Sequence, residues 1–138
     1  MSLHLVKLCV GIESVKELRK RQIWQYKTYK RRAHITRMTP KRSEELLKGG
    51  SLYWVIKGLI CVRQSLKKIE PYLDDDGKRY CRLHLDKKLI LVRPTPRRAF
   101  QGWRYLPVAD APPDIIGGLD DDNIPEEMRT ELANLGLL

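Results

Sequence analysis

The chain has 138 residues and a formal net charge of +10, with the hydrophobic content (42%) and charged content (32%) of a globular protein. This length predicts one domain with an additional segment, and it is too short for two domains of ordinary size. The odd, scattered set Cys9, Cys61 and Cys81 excludes a disulfide framework, and the lack of a signal peptide or long apolar window predicts a cytoplasmic protein without a membrane span.

The N-terminal third of the chain predicts a strand followed by a long helix. Leu3 to Val10 is an apolar run interrupted by Lys7, which is typical of a strand buried on both faces. From Glu13 to Arg32 the apolar residues recur with a helical period, which predicts a basic amphipathic helix of about five turns. Its predicted apolar stripe contains Val15, Leu18, Tyr26, Tyr29 and Ala33.

The middle of the chain predicts short elements with clear breaks. Ala33 to Met38 is a strand candidate, and Ser43 to Lys48 fits a short helix that follows Pro40 and ends before Gly49 and Gly50. Leu52 to Gln64 is rich in aromatic and β-branched residues. It predicts either one long strand bent at Gly58 or two strands that meet there.

An antiparallel meander is predicted after the turn at Asp74 to Gly77. Its strands are Tyr80 to Asp86 and Leu89 to Arg93, and Arg97 to Tyr105 is expected to be a loop or a short edge strand. The predicted fold class is therefore α+β. We expect a small, strongly bent antiparallel sheet or partial barrel, with one long basic helix, one short helix and an acidic C-terminal extension.

Charge divides the chain into two predicted parts. Residues 1–105 hold 26 Lys and Arg against 9 Asp and Glu, whereas residues 106–138 hold 8 acidic residues and one base, Arg129. We interpret these parts as a basic α+β domain and a Pro/Gly-rich acidic extension with a short terminal helix that starts at Pro125. The basic part predicts RNA or another polyanion as partner, and the acidic extension could cover the same surface.

Three basic groups are candidate nucleic-acid contacts. In the first, seven cations lie between Arg19 and Arg32, and the helical wheel places Trp24 opposite the apolar stripe, flanked by Lys20, Lys27 and Arg31. An exposed Trp among cations suits stacking on a base while the cations hold phosphates. In the alternative, the helix is merely solvated and Trp24 packs against a strand or the acidic extension.

The second and third groups lie further along the chain. Arg37, Lys41 and Arg42 surround a predicted helix start, where an anion could bind, or where an ordinary capped helix could begin. The third group combines Phe100, Trp103 and Tyr105 with arginines. Trp103 suits a packing anchor, and the arginines suit phosphate or carboxylate recognition. These arginines are Arg97, Arg98 and Arg104.

Catalytic and metal-binding patterns are sparse. The chain contains no phosphate-binding Gly-rich loop, nucleophile elbow or zinc-protease motif. Cys81 and His84 would face opposite sides of a strand, so neither a metal nor a cofactor is expected. His34 and His84 could each act as a general acid or base beside arginines, although a single histidine in a strand is more often structural.

Several strings of the sequence resemble a known family. They are Leu5 to Gly11, Thr36 to Arg42, Gly49 to Gly58, Arg63-Gln64, Arg98 to Tyr105 and Asp110 to Asp114. They resemble domain-of-unknown-function family 1489, found mainly in alphaproteobacteria, a likeness that implies no activity. A weaker likeness links the short helix and following strands to PUA-like barrels and their ASCH relatives. The ASCH motif has Lys, Glu and Arg where this chain has Leu52, Val55 and Lys57.

The sequence therefore predicts an RNA-binding protein with a basic and aromatic surface. The expected contacts are Lys20, Trp24, Lys27, Arg31, Arg37, Lys41, Arg42, Arg97, Arg98, Trp103 and Arg104. One alternative is an enzyme that processes a nucleic acid or nucleotide with an arginine and histidine site. Another is an adaptor whose cationic helix binds an acidic protein.

Overall fold

This computed structural model describes residues 3–118 and 126–137, and it describes the side chains of residues 3–115 and 129–137. These residues form eight strands and three α-helices. The strands are β1 (Leu3–Leu8), β2 (Ala33–Thr36), β3 (Ser51–Ile56), β4 (Leu59–Leu73), β5 (Arg79–Leu85), β6 (Ile90–Pro96), β7 (Trp103–Pro107) and β8 (Asp114–Gly118). The helices are α1 (Val15–Tyr29), α2 (Ser43–Leu46) and α3 (Glu126–Asn134). None of these helices is long and apolar enough to cross a membrane.

The strands form one open, mixed sheet in the order β2-β5-β4-β3-β1-β7, and β6 pairs with β4 and β8. The α+β class is confirmed, but a purely antiparallel sheet is wrong because β1 runs parallel to β3, with Leu5 opposite Leu52. Parallel neighbours need a crossover connection, and here the chain passes through α1, β2 and α2 between the two strands. All other strand pairs in the described residues are antiparallel.

β3 and β4 form a hairpin, so the second of the two alternatives for Leu52 to Gln64 is correct. Lys57 and Gly58 both have positive φ, 52° and 77°, as a tight two-residue hairpin turn requires. β4 then continues to Leu73, well beyond the predicted end at Gln64. Its first half pairs with β3 and β6 and its second half with β5, across an irregularity between Leu66 and Lys68.

Both faces of the sheet are buried at its centre. All six residues of β3 are buried, and in β1 Leu5 belongs to the larger hydrophobic cluster whereas Val6 belongs to a smaller one. The larger cluster includes residues of α1, α2 and α3. The smaller cluster is covered in part by Phe100 and Ala111. The expectation that the first strand is buried on both faces is therefore confirmed.

The first helix is shorter than predicted and presents a different inner face. α1 has 15 residues, about four turns, and ends at Tyr29; the C-cap residue Lys30 has a φ of 58°, in the left-handed region. Val15 and Leu18 are buried as expected, but Tyr26 and Tyr29 are 42% and 56% exposed. The stripe assigned from sequence is therefore wrong at Tyr26 and Tyr29, and two glutamines of α1 face inward instead.

The C-terminal residues contribute to the same core as the rest of the chain. The predicted division after Tyr105 falls inside β7, and β8 pairs with β6. Leu132 and Leu137 are fully buried in the larger cluster, and the backbone N–H of Val15 donates to Leu137 O at 2.8 Å. Pro125 and the acidic run Asp120 to Asp122 lie outside the described residues.

A comparison of unfolding free energies tests whether α3 and the residues after it pack against the core. Replacement of fully buried Leu132 or Leu137 by Ala should lower the free energy of unfolding by about 2–5 kcal/mol, because it removes core contacts and leaves a cavity. Leu135→Ala is the matched control, since Leu135 is 37% exposed, and it should cost less than about 1 kcal/mol. Urea denaturation measures each value, and equal small losses for all three variants would contradict the docking.

Candidate functional site

A pair of amides, one of them fully buried, holds α1 against the sheet. Gln64, in β4, is fully buried, and it exchanges two hydrogen bonds of 2.7 Å with Gln22 of α1. Gln64 also accepts from Trp54 Nε1 at 2.9 Å and donates to Asp86 O at 2.9 Å. One turn further along, Gln25 Nε2 donates to Ala33 O at 2.8 Å. These bonds set the rotation of α1 about its own axis.

The outer face of α1 is cationic and carries an exposed Trp. Trp24 is 59% exposed and contacts the edge of Tyr29, with 6.0 Å between ring centroids. The predicted phosphate contacts on this helix and just after it, Lys20, Lys27 and Arg31, are all exposed. Residues 18–43 contain ten Lys and Arg and no acidic residue. Glu17, in the first turn, is the one acidic residue of α1, so the rest of its outer face has no acidic residue within the helix to neutralise it.

Arginines lie over aromatic rings at six places in the described residues, with Cζ to centroid distances of 3.8–5.5 Å. The pairs are Arg32 with Tyr26, Arg37 with Tyr80, Arg42 with Tyr105, Arg82 with Tyr72, and Arg97 and Arg104 with Phe100. Four of these arginines belong to the sequence-predicted site. These cation–π contacts restrict the guanidinium groups without neutralising their charge.

The second and third predicted groups lie together in the fold. Trp103 is half-buried and donates from Nε1 to Met38 O at 2.9 Å, in agreement with the role of packing anchor. The backbone N–H of Arg42 donates to the Tyr105 hydroxyl at 3.2 Å. Lys41, Arg98 and Arg104 are exposed around this junction, and Arg97 is half-buried.

Arg42 differs from the other predicted contact cations because it forms an ion pair within the described residues. Its guanidinium forms a two-point ion pair with Glu45, one contact being 3.0 Å from Nη2 to Oε1. This hydrogen bond raises the pKa of Arg42 and lowers the pKa of Glu45. α2 has only four residues, and Arg42 at its N-cap provides no side-chain cap. The short helix therefore offers little of the dipole on which the predicted anion site depended.

A second aromatic surface was missed in the sequence. Tyr72 and Tyr80 stack at a centroid distance of 5.9 Å, with Arg82 over one ring and Arg37 over the other. They line a cavity of about 380 Å³ with Thr39 and neighbouring residues of β4 and β5. The signal was available, because Tyr72 and Tyr80 are symmetric about the Asp74 to Gly77 turn and are direct partners in the hairpin register.

A cavity of about 210 Å³ lies beneath α1 and was also missed. Its walls include Lys7 and Cys9 from β1 and the loop that follows it, Arg21 and Gln25 from α1, and the rings of His34 and Trp54. His34 meets Trp54 edge to face, with 5.1 Å between centroids. The signal for this site was Lys7, the one charged residue in the apolar run that forms β1.

The titratable groups of this cavity are strongly affected by burial. Burial, reinforced by the positive charges of Lys7 and Arg21, lowers the pKa of His34 to about 4. Burial also lowers the pKa of Lys7, and it raises the pKa of the Cys9 thiol to about 11. At neutral pH His34 is therefore uncharged, and Cys9 is a thiol rather than a nucleophilic thiolate.

The other residues considered for chemistry have structural partners. His84 Nε2 lies 2.9 Å from Glu70 Oε1 on the face of β5 opposite buried Cys81. This hydrogen bond lowers the pKa of Glu70. All three cysteines are buried and free, and burial raises the pKa of Cys61 to about 12. Within the described ranges, no group of three or more His, Cys, Asp or Glu is placed to hold a metal ion.

Fold and site together define an α+β protein with an open mixed sheet, a cationic helix on one face and a small cavity beneath that helix. The family model described as Protein of unknown function (DUF1489) matches residues 5–138, almost the whole sequence. The chain belongs to this family, so the resemblance drawn from its sequence strings is confirmed. Searches of curated proteins and of solved structures found no match, and the likeness to PUA-like barrels is not confirmed.

The depressed pKa of His34 predicts a specific dependence of stability on pH. The pKa of His34 is about 4 in the folded state, whereas a histidine in an unfolded chain has a pKa near 6.5. The contribution of His34 to the stability of the native state is therefore fully present above pH 6.5. As pH falls from 6.5 to 4, only the unfolded state gains this proton, so about 3 kcal/mol of unfolding free energy should be lost.

His34→Phe is the matched variant for this measurement, because it keeps an aromatic ring against Trp54 and removes the titration. Guanidinium denaturation of both proteins at several pH values gives the difference between their unfolding free energies. That difference should change by about 3 kcal/mol over this window, in favour of the variant at low pH. Parallel pH profiles would contradict the assignment of a buried neutral imidazole.

Proposed function

We propose that the protein binds RNA through the outer face of α1 and the neighbouring arginine-bearing surface. The observation that carries the proposal is Trp24, whose indole is 59% exposed on a helix surrounded by cations. A large apolar ring in water is costly unless it meets a partner. An unpaired base offers a flat, sequence-independent face to such a ring, and Lys20, Lys27 and Arg31, which form no ion pair with the described residues, can hold the adjacent phosphates.

The charge distribution supports a polyanion as that partner. The acid-free segment 18–43, with its ten bases, creates a strong local positive potential that attracts phosphates. Binding would release condensed counterions, a favourable entropy that an exposed cationic surface gains only from a polyanion. An acidic protein, the adaptor alternative, would satisfy the charges, but it has no flat base to cover Trp24.

Stacked arginines extend the proposed contact surface beyond α1. Arg37 over Tyr80 and Arg104 over Phe100 present planar groups on which unpaired bases can stack or to which phosphates can bind. Exposed Lys41 and Arg98 add charge nearby. Arg42 and Trp103 contribute less directly, because Arg42 is paired with Glu45 and Trp103 bonds to Met38 O.

The enzyme alternative makes a different prediction for the same experiment. His84 has a carboxylate partner in Glu70, the kind of arrangement that orients a general base, and Arg82 lies within 3.5 Å of the same carboxylate. Incubation of purified protein with RNA, followed by gel analysis, separates the two classes. Binding alone leaves the RNA intact, whereas cleavage that His84→Ala abolishes would favour the enzyme.

Substitution of Trp24 tests the stacking contact. Trp24→Ala should weaken binding of a short labelled single-stranded RNA by about five- to a hundredfold, since base stacking on an aromatic ring contributes about 1–3 kcal/mol. Trp24→Phe should keep most of the affinity. Val108→Ala is the control, because Val108 is 51% exposed and lies outside the proposed surface. Fluorescence anisotropy measures each dissociation constant.

Salt provides the independent check on this prediction. The logarithm of the RNA affinity should fall with the logarithm of salt concentration by about 0.7 for each neutralised phosphate. Joint replacement of Lys20, Lys27 and Arg31 by Gln should reduce that slope by about 2. Affinity that barely changes between low and physiological salt, or equal affinity of Trp24→Ala and wild type, would contradict RNA binding by this face.

The acidic C-terminal extension is expected to compete with RNA. Deletion of the extension cannot test this competition, because Leu132 and Leu137 belong to the core. Substitution of Asp121 and Asp122 by Ser should instead raise RNA affinity several-fold by removing competing negative charge. The same change at Asp75 and Asp76, in the turn between β4 and β5, is the charge-matched control. Equal gains from both double variants would indicate a general charge effect and contradict competition by the extension.

A further inference from the structure

The cavity beneath α1 contains positive charge that none of its lining residues balances. Lys7 and Arg21 both contribute to its walls, and none of the residues lining it is Asp or Glu. Arg21 is exposed and uses two of its donors on Val10 O, at 3.3 Å each, which leaves further N–H groups available. Arg21 therefore marks the rim of the cavity, and the charge favours an anionic occupant.

Lys7 is unusual because its side chain turns inward. It shares a face of β1 with buried Leu5, it is half-buried, and it forms no ion pair or hydrogen bond with the described residues. Desolvation of an ammonium group is unfavourable unless a partner compensates it. A half-buried ammonium group without a carboxylate partner among the described residues is a suitable position for an anionic ligand.

His34 provides a second unsatisfied group in the same cavity. Its Nε2 atom is buried and has no hydrogen-bond partner, the single such side-chain atom among the described residues. Buried polar atoms are nearly always paired, because an unpaired one costs about 1–3 kcal/mol. The fold tolerates this cost at a position that faces Lys7, Arg21 and Cys9, the charged and titratable groups around the imidazole.

Size and hydrogen-bonding character narrow the class of occupant. A volume of about 210 Å³ is smaller than the cavities of about 300–1,000 Å³ that hold drug-sized ligands, so the cavity can enclose one base but not a whole nucleotide. The rest of such a ligand would lie at the mouth of the cavity, where Arg21 is exposed. Trp54 and His34 provide aromatic walls, and Gln25 Oε1 accepts no hydrogen bond from the described residues. A simple anion would use the cations but would leave this acceptor and both rings without a role.

We propose that this cavity binds one nucleotide, with its base against Trp54 and His34 and its phosphate at Lys7 and Arg21. The base offers the mixed donors and acceptors that His34 Nε2 and Gln25 Oε1 require, and the phosphate balances the two cations. The nucleotide is either a free nucleoside monophosphate or an unstacked nucleotide of a bound RNA. The second source rests on the proposed RNA-binding function, whereas the first does not.

Calorimetric titration of the full chain tests the proposal. The probes are AMP, GMP, CMP and UMP, the matching nucleosides and inorganic phosphate. At least one nucleoside monophosphate should bind, and its nucleoside and inorganic phosphate should each bind at least tenfold more weakly, because each lacks half of the contacts. Equal binding of inorganic phosphate would overturn the assignment of a base to the cavity.

Two variants connect binding to the cavity. Lys7→Met keeps the aliphatic stem and removes the charge, and His34→Phe keeps the ring and removes the unpaired nitrogen. Each should weaken nucleotide binding at least tenfold. Lys16→Met, an exposed position on α1 that does not line the cavity, should leave it unchanged. His34→Phe should keep or raise the melting temperature, so loss of binding in this variant is not loss of folding.

RNA titrations of the same variants distinguish the two sources. Binding of free nucleotides without RNA binding would support the cavity and reject the RNA-binding function. RNA affinity that falls in Lys7→Met and His34→Phe, with weak binding of free nucleotides, would support an unstacked RNA nucleotide. Two outcomes would overturn the cavity proposal. In the first, no nucleotide binds and both variants keep the RNA affinity of the wild type. In the second, nucleotides bind both variants as tightly as they bind the wild type.

Discussion

The reciprocal amide pair of Gln22 and Gln64 is the interaction on which the functional surface depends. Gln64 is fully buried, so each of its hydrogen bonds must be made within the protein, and two of them go to α1. Rotation of α1 would break both of these bonds and leave one N–H of the buried Gln64 amide without a partner, at a cost of about 1–3 kcal/mol, although Gln64 would keep its bonds to Trp54 and Asp86. The pair therefore locks the helix in one orientation above the sheet.

That orientation determines both sites. Trp24 follows Gln22 by two residues, about 200° around a helix, so an inward Gln22 places Trp24 in solvent among the cations. Gln25, one turn after Gln22, bonds to Ala33 O and holds the helix end next to β2, which carries His34. The exposed Trp on the outer face of α1 and the cavity beneath α1 therefore have the same cause. The helix is held to the sheet by polar contacts rather than by a continuous apolar stripe.

Several elements follow from local sequence, and their errors have identifiable physical causes. Lys57 and Gly58 suit a hairpin turn, and β1 was recognisable from its apolar run. The end of β4 was missed because Lys67, Lys68 and Pro71 break its apolar pattern at exposed positions. Tyr29 was predicted to be buried, but it is exposed. A helical wheel shows which residues share a face of the helix, but it does not show where the sheet beneath that face ends.

The sequence by itself determined the chemistry that is local: the cationic composition of residues 18–43, the position of Trp24 opposite Val15 and Leu18, and membership of the family. Only the tertiary structure decided which distant groups meet. The parallel pairing of β1 with β3, the contact of Gln22 with Gln64 and the meeting of Lys7 with His34 join residues far apart in the chain. Such contacts depend on the path of the backbone, which periodicity and composition do not encode.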